Sequence, residues 1–260
     1  MQKLLRFAVA MFVAASSMCA QAAETGFHAS VPATSGKALP HTVLLANPDL
    51  IVNEVSAGGV EEKVKDWSND ASQNAGRLVR TLANENHAFE IVDDTRLDAS
   101  DKRLLEQYAA LYVRMLASIN MSRRSSNPAW WARVAQFDYT MGPGMQDVAV
   151  HSQADAVLFV VGNEHVASAG RQARTAAGIL GGILLGATTG VGVFSVPTAG
   201  VSFLSLGLVD MRTGDLLWLS ADSKGGGINL RNEKDLKTVL TELFASYPSL
   251  PKATDNKKAK

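Results

Sequence analysis

Residues 154–161 read Ala-Asp-Ala-Val-Leu-Phe-Val-Val, a near-continuous apolar run with one acid near its start. A run without alternating polar positions is typical of a strand buried on both faces of a sheet. Helices and strands alternate before this run, and a strand pair follows it. We therefore expect an α/β (or α+β) fold: one domain of two or three layers, with helices packed on a mixed sheet.

Four further strands are predicted around the central run. Residues 41–55 are expected to form one long or bent strand, broken near Asn47-Pro48, and residues 89–92 a short one. Residues 201–209 and 216–219 are predicted to pair as a hairpin, because Arg212-Thr213-Gly214-Asp215 between them is a tight-turn sequence.

Helical spacing and caps predict the helices. Apolar residues at 60, 64, 67, 71, 75, 78 and 82 recur in steps of three or four, which predicts an amphipathic helix to about Asn86. A second helix is expected after a cap at Asp98 or Ser100. The remaining helix starts are predicted at Asn127-Pro128, at Gly142-Pro143-Gly144 and at Asn232.

The N-terminal residues 1–22 are typical of a secretory signal peptide. Lys3 and Arg6 supply positive charge, and residues 4–15, interrupted only by Arg6, form an apolar stretch too short to span a bilayer. An Ala-x-Ala motif ends at Ala22, so we expect cleavage after Ala22 or after Ala23. An uncleaved N-terminal membrane anchor is the alternative. Export to the periplasm, or to the periplasmic face of the outer membrane, follows from the signal peptide.

Cys19, the single cysteine of the chain, gives a second alternative at the same end. Bacterial lipoproteins are cleaved just before a cysteine that becomes lipidated. The positions three before and one before this cysteine hold Ser16 and Met18, which departs from the usual lipobox. Cleavage near Ala22 leaves a chain without any disulfide, whereas lipidation at Cys19 anchors it to a membrane.

Charge and length restrict the class of protein further. Of the 25 Lys and Arg residues, 23 remain after residues 1–22 are removed, against 25 acids, so the net charge is slightly negative. A nucleic-acid-binding protein would carry a strong basic excess, so we expect no nucleic-acid partner. We expect a flexible leader at 23–40, the α/β domain at 41–247, and a basic disordered tail at 248–260.

The most unusual segment lies at residues 175–200. No charged residue occurs from Thr175 to Val209, and four glycines recur at a strict spacing of four: Gly178, Gly182, Gly186 and Gly190. On a helix this spacing places the glycines in one straight groove, which lets a neighbouring backbone approach closely. Each glycine costs a water-exposed helix about 1 kcal/mol relative to Ala, so the pattern favours a packed helix.

Three structures for residues 175–200 stay open at this point. The segment fits a helix packed on the domain or on another copy of the chain. It also fits a helix or hairpin inserted into a membrane, since a span needs about 20 residues as a helix or 9–11 per strand. The third structure is a mobile, glycine-rich loop. In the first case the segment is the predicted interaction surface, and in the second case it is the predicted membrane-contacting surface.

A search for catalytic and ligand-binding motifs gives no cofactor and no metal site. The five histidines lack zinc-ligand spacing, and no nucleophile elbow or phosphate-binding loop is present. Residues 163–165 end the apolar run, where α/β enzymes place active sites, so a hydrolase is one alternative. Trp130-Trp131 fits core packing or a partner contact, with a sugar or a membrane surface as the other options.

Several stretches resemble a poorly characterised family of bacterial envelope proteins and lipoproteins. The resemblance is carried by residues 43–49, 55–60, Asp66-Trp67, 154–159 and 208–218. The last of these also resembles a hairpin of the curli-secretion-channel family and its outer-membrane lipoprotein relatives. The resemblance implies an anticodon-binding-like α/β domain. It further implies an apolar insertion, which in the curli channel forms the membrane strands of an oligomeric pore.

The sequence thus predicts a non-enzymatic protein of the cell envelope. We expect a role in assembly, secretion or maintenance, through binding to envelope proteins or to copies of itself as a homo-oligomer, with membrane contact as a further option. The alternatives are a component of an oligomeric membrane pore and an envelope hydrolase.

Overall fold

The computed structural model describes residues 24–28, 31, 39–86, 88–176, 201–225 and 228–247. The strands are β1 (Glu24–Phe27), β2 (Thr42–Leu45), β3 (Asp49–Val55), β4 (Glu61–Lys63), β5 (Glu90–Val92), β6 (Ala156–Ala167), β7 (Val201–Asp210) and β8 (Leu216–Gly225). The helices are α1 (Lys65–Glu85), α2 (Ala99–Arg124), α3 (Pro128–Gln136), α4 (Gln146–Ser152), α5 (Ala169–Ala176) and α6 (Glu233–Phe244).

All eight strands belong to one mixed sheet built around β6. Its main order is β1-β8-β7-β6-β2-β5, and β3 also pairs with β6 and carries β4 on its outer side. β2 pairs in parallel with the first residues of β6, and β3 pairs in parallel with its last seven. The predicted long or bent strand at 41–55 is therefore two strands, which follow the same neighbour on either side of the Asn47-Pro48 break.

Helices cover both faces of the sheet, so the domain has three layers. One core packs α1 and α6 against residues such as Leu158, Val160 and Trp218. The second core packs α2 and α4 against residues such as Val157 and Phe159. Successive β6 side chains alternate between the two cores, as the pleat of a strand requires. The predicted α/β class with a mixed sheet is confirmed, and the three-layer form is the one observed.

The predicted helix starts at capping residues are confirmed. Asp98 caps α2 with a capping box, in which its carboxylate accepts from the N–H of Asp101 and the Asp101 carboxylate accepts from the N–H of Asp98. Asn127 and Asn232 cap α3 and α6 through their side-chain oxygens. Each cap satisfies backbone N–H groups that have no partner inside the helix.

Two predicted boundaries are wrong. The first helix begins at Lys65 rather than near Val60, because Glu61–Lys63 pairs with β3 instead. The leader predicted at 23–40 is also not wholly flexible. Glu24–Phe27 pairs antiparallel with β8, and the ring of Phe137 lies close over Gly26 where a side chain would otherwise project.

Candidate functional site at the exit end of the sheet

The described residues on either side of the glycine-rich segment (residues 177–200) lie at one end of the sheet. We call this the exit end, and define it by four strand segments: 52–55, 163–167, 201–203 and 222–225. α5 starts two residues after β6 finishes, and Val201 at the start of β7 lies opposite His165 of β6. Residues 177–200 are therefore joined to the domain at this end through both α5 and β7.

Hydrogen bonds fix the start of α5 to the exit end. The N–H of Ser168 donates to the carbonyl of Val55 at 3.0 Å, which ties the β6–α5 junction to the end of β3. The side chain of Gln172 donates to the carbonyl of Ala167 at 2.9 Å. Gly170 packs beside Ala57, in the turn after β3. The residues that lead into the glycine-rich segment are thus held by the sheet.

On the α1/α6 face of the exit end, Glu164 forms a buried polar contact with the loop before α6. Its side chain is only 5% exposed. One carboxylate oxygen accepts from the backbone N–H of Leu230 at 3.0 Å, and the other lies 3.6 Å from a guanidinium nitrogen of Arg231. The same guanidinium lies 4.5 Å above the ring of Trp67, at the start of α1. The three side chains therefore join β6, α1 and the loop before α6.

Burial dominates the electrostatics of this carboxylate. Desolvation raises the pKa of Glu164, and the Arg231 charge and the Leu230 N–H oppose that rise only in part. Ser202, which lies opposite Glu164 on β7, is buried as well. The arrangement suits a structural contact that fixes a loop, since both carboxylate oxygens already face protein partners.

On the α2/α4 face, the side chains of the exit end form separate pairs. The amide of Asn53 donates to the side-chain oxygen of Asn163 at 3.2 Å. The Nδ1 atom of His165 lies 3.5 Å from a carboxylate oxygen of Glu61 on β4. Strand alternation therefore separates Glu164 from Asn163 and His165, and the three residues proposed for a hydrolase do not converge on one site.

Among the described residues, no group of three or more His, Cys, Asp or Glu side chains could hold a metal ion. None of the helices within the described ranges is both long and apolar enough to span a membrane. A cleft of about 490 Å³ lies away from the exit end, at the outer edge of β5, and is lined by residues that include His41, Arg80, Phe89 and Glu90. Arg80 there pairs with Asp93 at 3.1 Å.

Several predicted functional residues lie outside the described residues: Cys19, Ala22, Ala23, Gly178, Gly182, Gly186 and Gly190. The basic tail at 248–260 lies outside them too. The tryptophan pair is described, and core packing is not its role: Trp130 is 44% exposed and Trp131 61%.

Sequence reasoning missed the contact between Glu164, Arg231 and Trp67. The available signal was strand alternation, which places Glu164 on the same face as the apolar residues Leu158 and Val160, where an unpaired charge is strongly unfavourable. The partner residues could not be identified in the same way, since they follow from the pairing of distant elements.

Comparisons with known proteins give structural likeness only. The chain is similar to a PelC dodecamer from Paraburkholderia phytofirmans, with 7% identity, 88% of this chain and 98% of that chain covered, and a TM-score of 0.35. A second crystal form of that dodecamer, with one substitution, has 8% identity and a TM-score of 0.33, with 87% of this chain and 98% of that chain covered. Lipoprotein GNA1162 from Neisseria meningitidis has 13% identity and a TM-score of 0.31, with 79% of this chain and 95% of that chain covered.

No family model and no curated protein matches the sequence. The resemblances to envelope lipoproteins and to the curli channel, stated from the sequence, therefore stay predictions. At TM-scores this low the likeness carries no argument about function. The proposals below therefore rest on the residues of this chain.

Proposed function

We propose that this chain is an exported, non-enzymatic protein of the cell envelope that associates with copies of itself, or with other envelope proteins, through the glycine-rich segment. The observation that carries the proposal is the attachment of residues 177–200, which hold no charge, to the exit end through both α5 and β7. An apolar segment of this length without any charge requires a covering surface.

The spacing of the four glycines supports a packed helix as that surface. Gly178, Gly182, Gly186 and Gly190 would line one groove of such a helix, where a second helix backbone can approach. A single complete crossing of a bilayer fits poorly. A span of about 20 residues would leave too few of the 24 to return the chain to Val201, at the end from which it started.

The exit end itself supports a role without catalysis. Both carboxylate oxygens of Glu164 face Leu230 and Arg231, so this side chain is engaged within the fold, and His165 lies on the other face of the sheet beside Glu61. A general base must instead reach a substrate atom within hydrogen-bonding distance.

Substitution of the groove glycines tests self-association. Gly182→Leu and Gly186→Leu fill the proposed groove, and we expect the oligomer measured by analytical ultracentrifugation in mild detergent to dissociate. Gly181→Leu is the matched control, because it adds the same side chain next to Gly182 but outside the spacing of four. An unchanged sedimentation profile in both groove variants would contradict the proposal.

Conductance measurements separate self-association from an oligomeric pore. Purified protein added to a planar lipid bilayer should leave its conductance unchanged if the segment only joins protein chains. Discrete conductance steps that disappear in Gly182→Leu would favour the pore instead.

Cell fractionation with mass spectrometry of the mature N-terminus tests export. We expect the chain in the periplasmic or outer-membrane fraction, starting at an acylated Cys19 or at a free residue near Ala23. A cytoplasmic chain that keeps Met1 would exclude the envelope role altogether.

A further inference from the structure

We propose that the corner between α2 and α3 docks onto an anionic lipid surface. We call this surface the α2–α3 corner, and define it by six residues: Met121, Arg123, Arg124, Trp130, Trp131 and Arg133. The proposal rests on the proposed export of the chain and is independent of the glycine-rich segment. It assigns a membrane-facing side to the domain and a role to the tryptophan pair.

Large apolar side chains are exposed at this corner. Trp131 is 61% exposed, Met121 60% and Trp130 44%, and α3 has no buried residue. The indole N–H of Trp131 donates to the carbonyl of Ser125 just after α2, so the ring is held in place at the surface. Tryptophan with a satisfied N–H and an exposed ring suits the boundary between headgroups and acyl chains.

The charge of the corner fits an anionic partner. From Gln107 to Phe137, 31 consecutive residues contain no Asp and no Glu. The same stretch holds four arginines: Arg114, Arg123, Arg124 and Arg133. The whole chain, by contrast, has equal numbers of acidic and basic residues. Basic side chains beside exposed aromatics are the combination that binds anionic headgroups.

The direction of α2 places the corner towards the exit end. Near the start of α2, Asp101 contacts His151 of α4, the helix before β6. Eleven residues later, Tyr112 stacks on Phe159 in the body of β6, with ring centroids 5.5 Å apart. α2 therefore advances in the same direction as β6, and its last turn, about 18 Å beyond Tyr112 at 1.5 Å per residue, lies towards the end at which β6 finishes.

The register of β1 leads the N-terminal part of the chain to the same end. Glu24 lies opposite Ala221 and Phe27 opposite Trp218, so Glu24 is the residue of β1 that lies nearest to residues 222–225 of β8. Cys19 is five residues before Glu24 and can reach about 17 Å at most from it. An acyl chain on Cys19 would therefore enter a membrane that faces the exit end.

The residue that follows α3 lies over this N-terminal strand. Phe137, directly after α3, places its ring over Gly26 of β1. The exposed tryptophans, the arginines and the start of β1 thus lie towards the same side of the domain. A membrane is the occupant that these three features have in common, because it accepts an acyl chain, indole rings and basic side chains together.

Quenching of tryptophan fluorescence by brominated lipids tests the proposal. The mature protein is mixed with vesicles of phosphatidylethanolamine and brominated phosphatidylglycerol. The chain has four tryptophans, of which Trp218 is fully buried and Trp67 lies beneath Arg231. We expect quenching in the wild type, its loss in Trp130→Phe/Trp131→Phe, and its persistence in the matched control Trp67→Phe.

Vesicle binding tests the same surface by affinity. Trp130→Ala/Trp131→Ala should weaken binding by roughly ten-fold or more, since affinity scales with the apolar area inserted. Arg124→Gln/Arg133→Gln should weaken binding to phosphatidylglycerol vesicles and remove most of its salt dependence, whereas Arg212→Gln at the opposite end should not. Where the mature chain carries an acyl group, quenching replaces affinity as the readout, because it reports the position of the indoles.

Unquenched wild-type fluorescence, or quenching that survives loss of both corner tryptophans, would overturn the proposal. Failure of the proposed self-association is recognised separately. Trp130→Ala/Trp131→Ala should leave the oligomer size unchanged, and Gly182→Leu should leave the quenching unchanged. Because α3 has no buried residue, Trp130→Ala/Trp131→Ala should lower the unfolding midpoint by only roughly 2–4 °C, so the variant stays folded in these measurements.

Discussion

The buried carboxylate of Glu164, on the central strand, accepts a hydrogen bond from the backbone N–H of Leu230, 66 residues further along the chain. Arg231, the next residue, lies within ion-pair distance of the same carboxylate. The contact closes the exit end of the sheet against the loop before α6. Substitutions at Glu164 can separate the contribution of this hydrogen bond to stability from the contribution of the negative charge.

Glu164→Ala should destabilise the domain by about 1–3 kcal/mol, because it leaves the N–H of Leu230 and the charge of Arg231 without their partner. Glu164→Gln keeps an acceptor for Leu230 and should lower the free energy of unfolding much less. Urea denaturation at neutral pH measures both variants. Equal losses in the two variants would show that the charge, and not the hydrogen bond, holds the loop.

The difference in stability between Glu164→Gln and the wild type should depend on pH, and the sign of that dependence follows from the pKa of Glu164. The pKa of Glu164 is raised by burial, so folding favours the protonated carboxyl. Its contribution to stability is therefore largest below the unfolded pKa of 4.5, and decreases as pH rises through the folded value. We expect the stability of Glu164→Gln relative to the wild type to increase over that interval in urea titrations. A difference that stays constant with pH would contradict the raised pKa.

His151 and Asp101 should give a pH dependence at higher pH. Their side chains lie 2.9 Å apart, and the hydrogen bond and charge of Asp101 raise the pKa of His151 above 6.5. The stabilisation is complete below the unfolded pKa and is lost as pH rises through the raised folded value. His151→Gln should therefore reduce stability at mildly acidic pH and have little effect at alkaline pH. Thermal unfolding across that range measures the effect, and a pH-independent loss would exclude the ion pair as its cause.

Gly207 is required by the ring of Tyr112. A Cβ atom at position 207 would lie 2.3 Å from that ring, which is stacked on Phe159 and bonded through its hydroxyl to Ser205 at 2.7 Å. Gly207→Ala should cost about 1–3 kcal/mol of stability in chemical denaturation, because the buried ring cannot move aside freely.

Tyr112→Leu provides the control for that substitution. In its background Gly207→Ala should cost clearly less, so the two effects should not add. Additive losses would place the cause in the backbone of β7 instead of the ring.

Gly26 tests the N-terminal strand in the same way. An added Cβ would lie 2.2 Å from the ring of Phe137, so Gly26→Ala should displace β1 from the sheet. We expect faster hydrogen exchange in residues 218–221 of β8, the strand segment that β1 covers. Gly58→Ala, where the nearest neighbour is 3.9 Å away, is the matched control and should exchange like the wild type. Unchanged protection in Gly26→Ala would mean that β1 adapts to the added methyl group.

Local sequence determined the central strand and most helix boundaries. Residues 154–161 specify a strand buried on both faces because no polar residue interrupts them after Asp155. The starts at Asp98, Asn127 and Asn232 were predictable because a cap satisfies N–H groups only two or three residues away. The glycine spacing and the signal-peptide pattern are also properties of short stretches, and what they indicate stays a prediction.

Only the tertiary structure decided which distant residues contact one another and which side chains are exposed. Glu24 could be assigned to a strand only once β8, almost 200 residues away, offered it an edge with matching register. The same holds for Glu164 and Arg231, and for the exposure of Trp130 and Trp131, which a helix pattern equally permits in a core. Strand pairing and burial depend on which distant elements meet, and no local pattern encodes that choice.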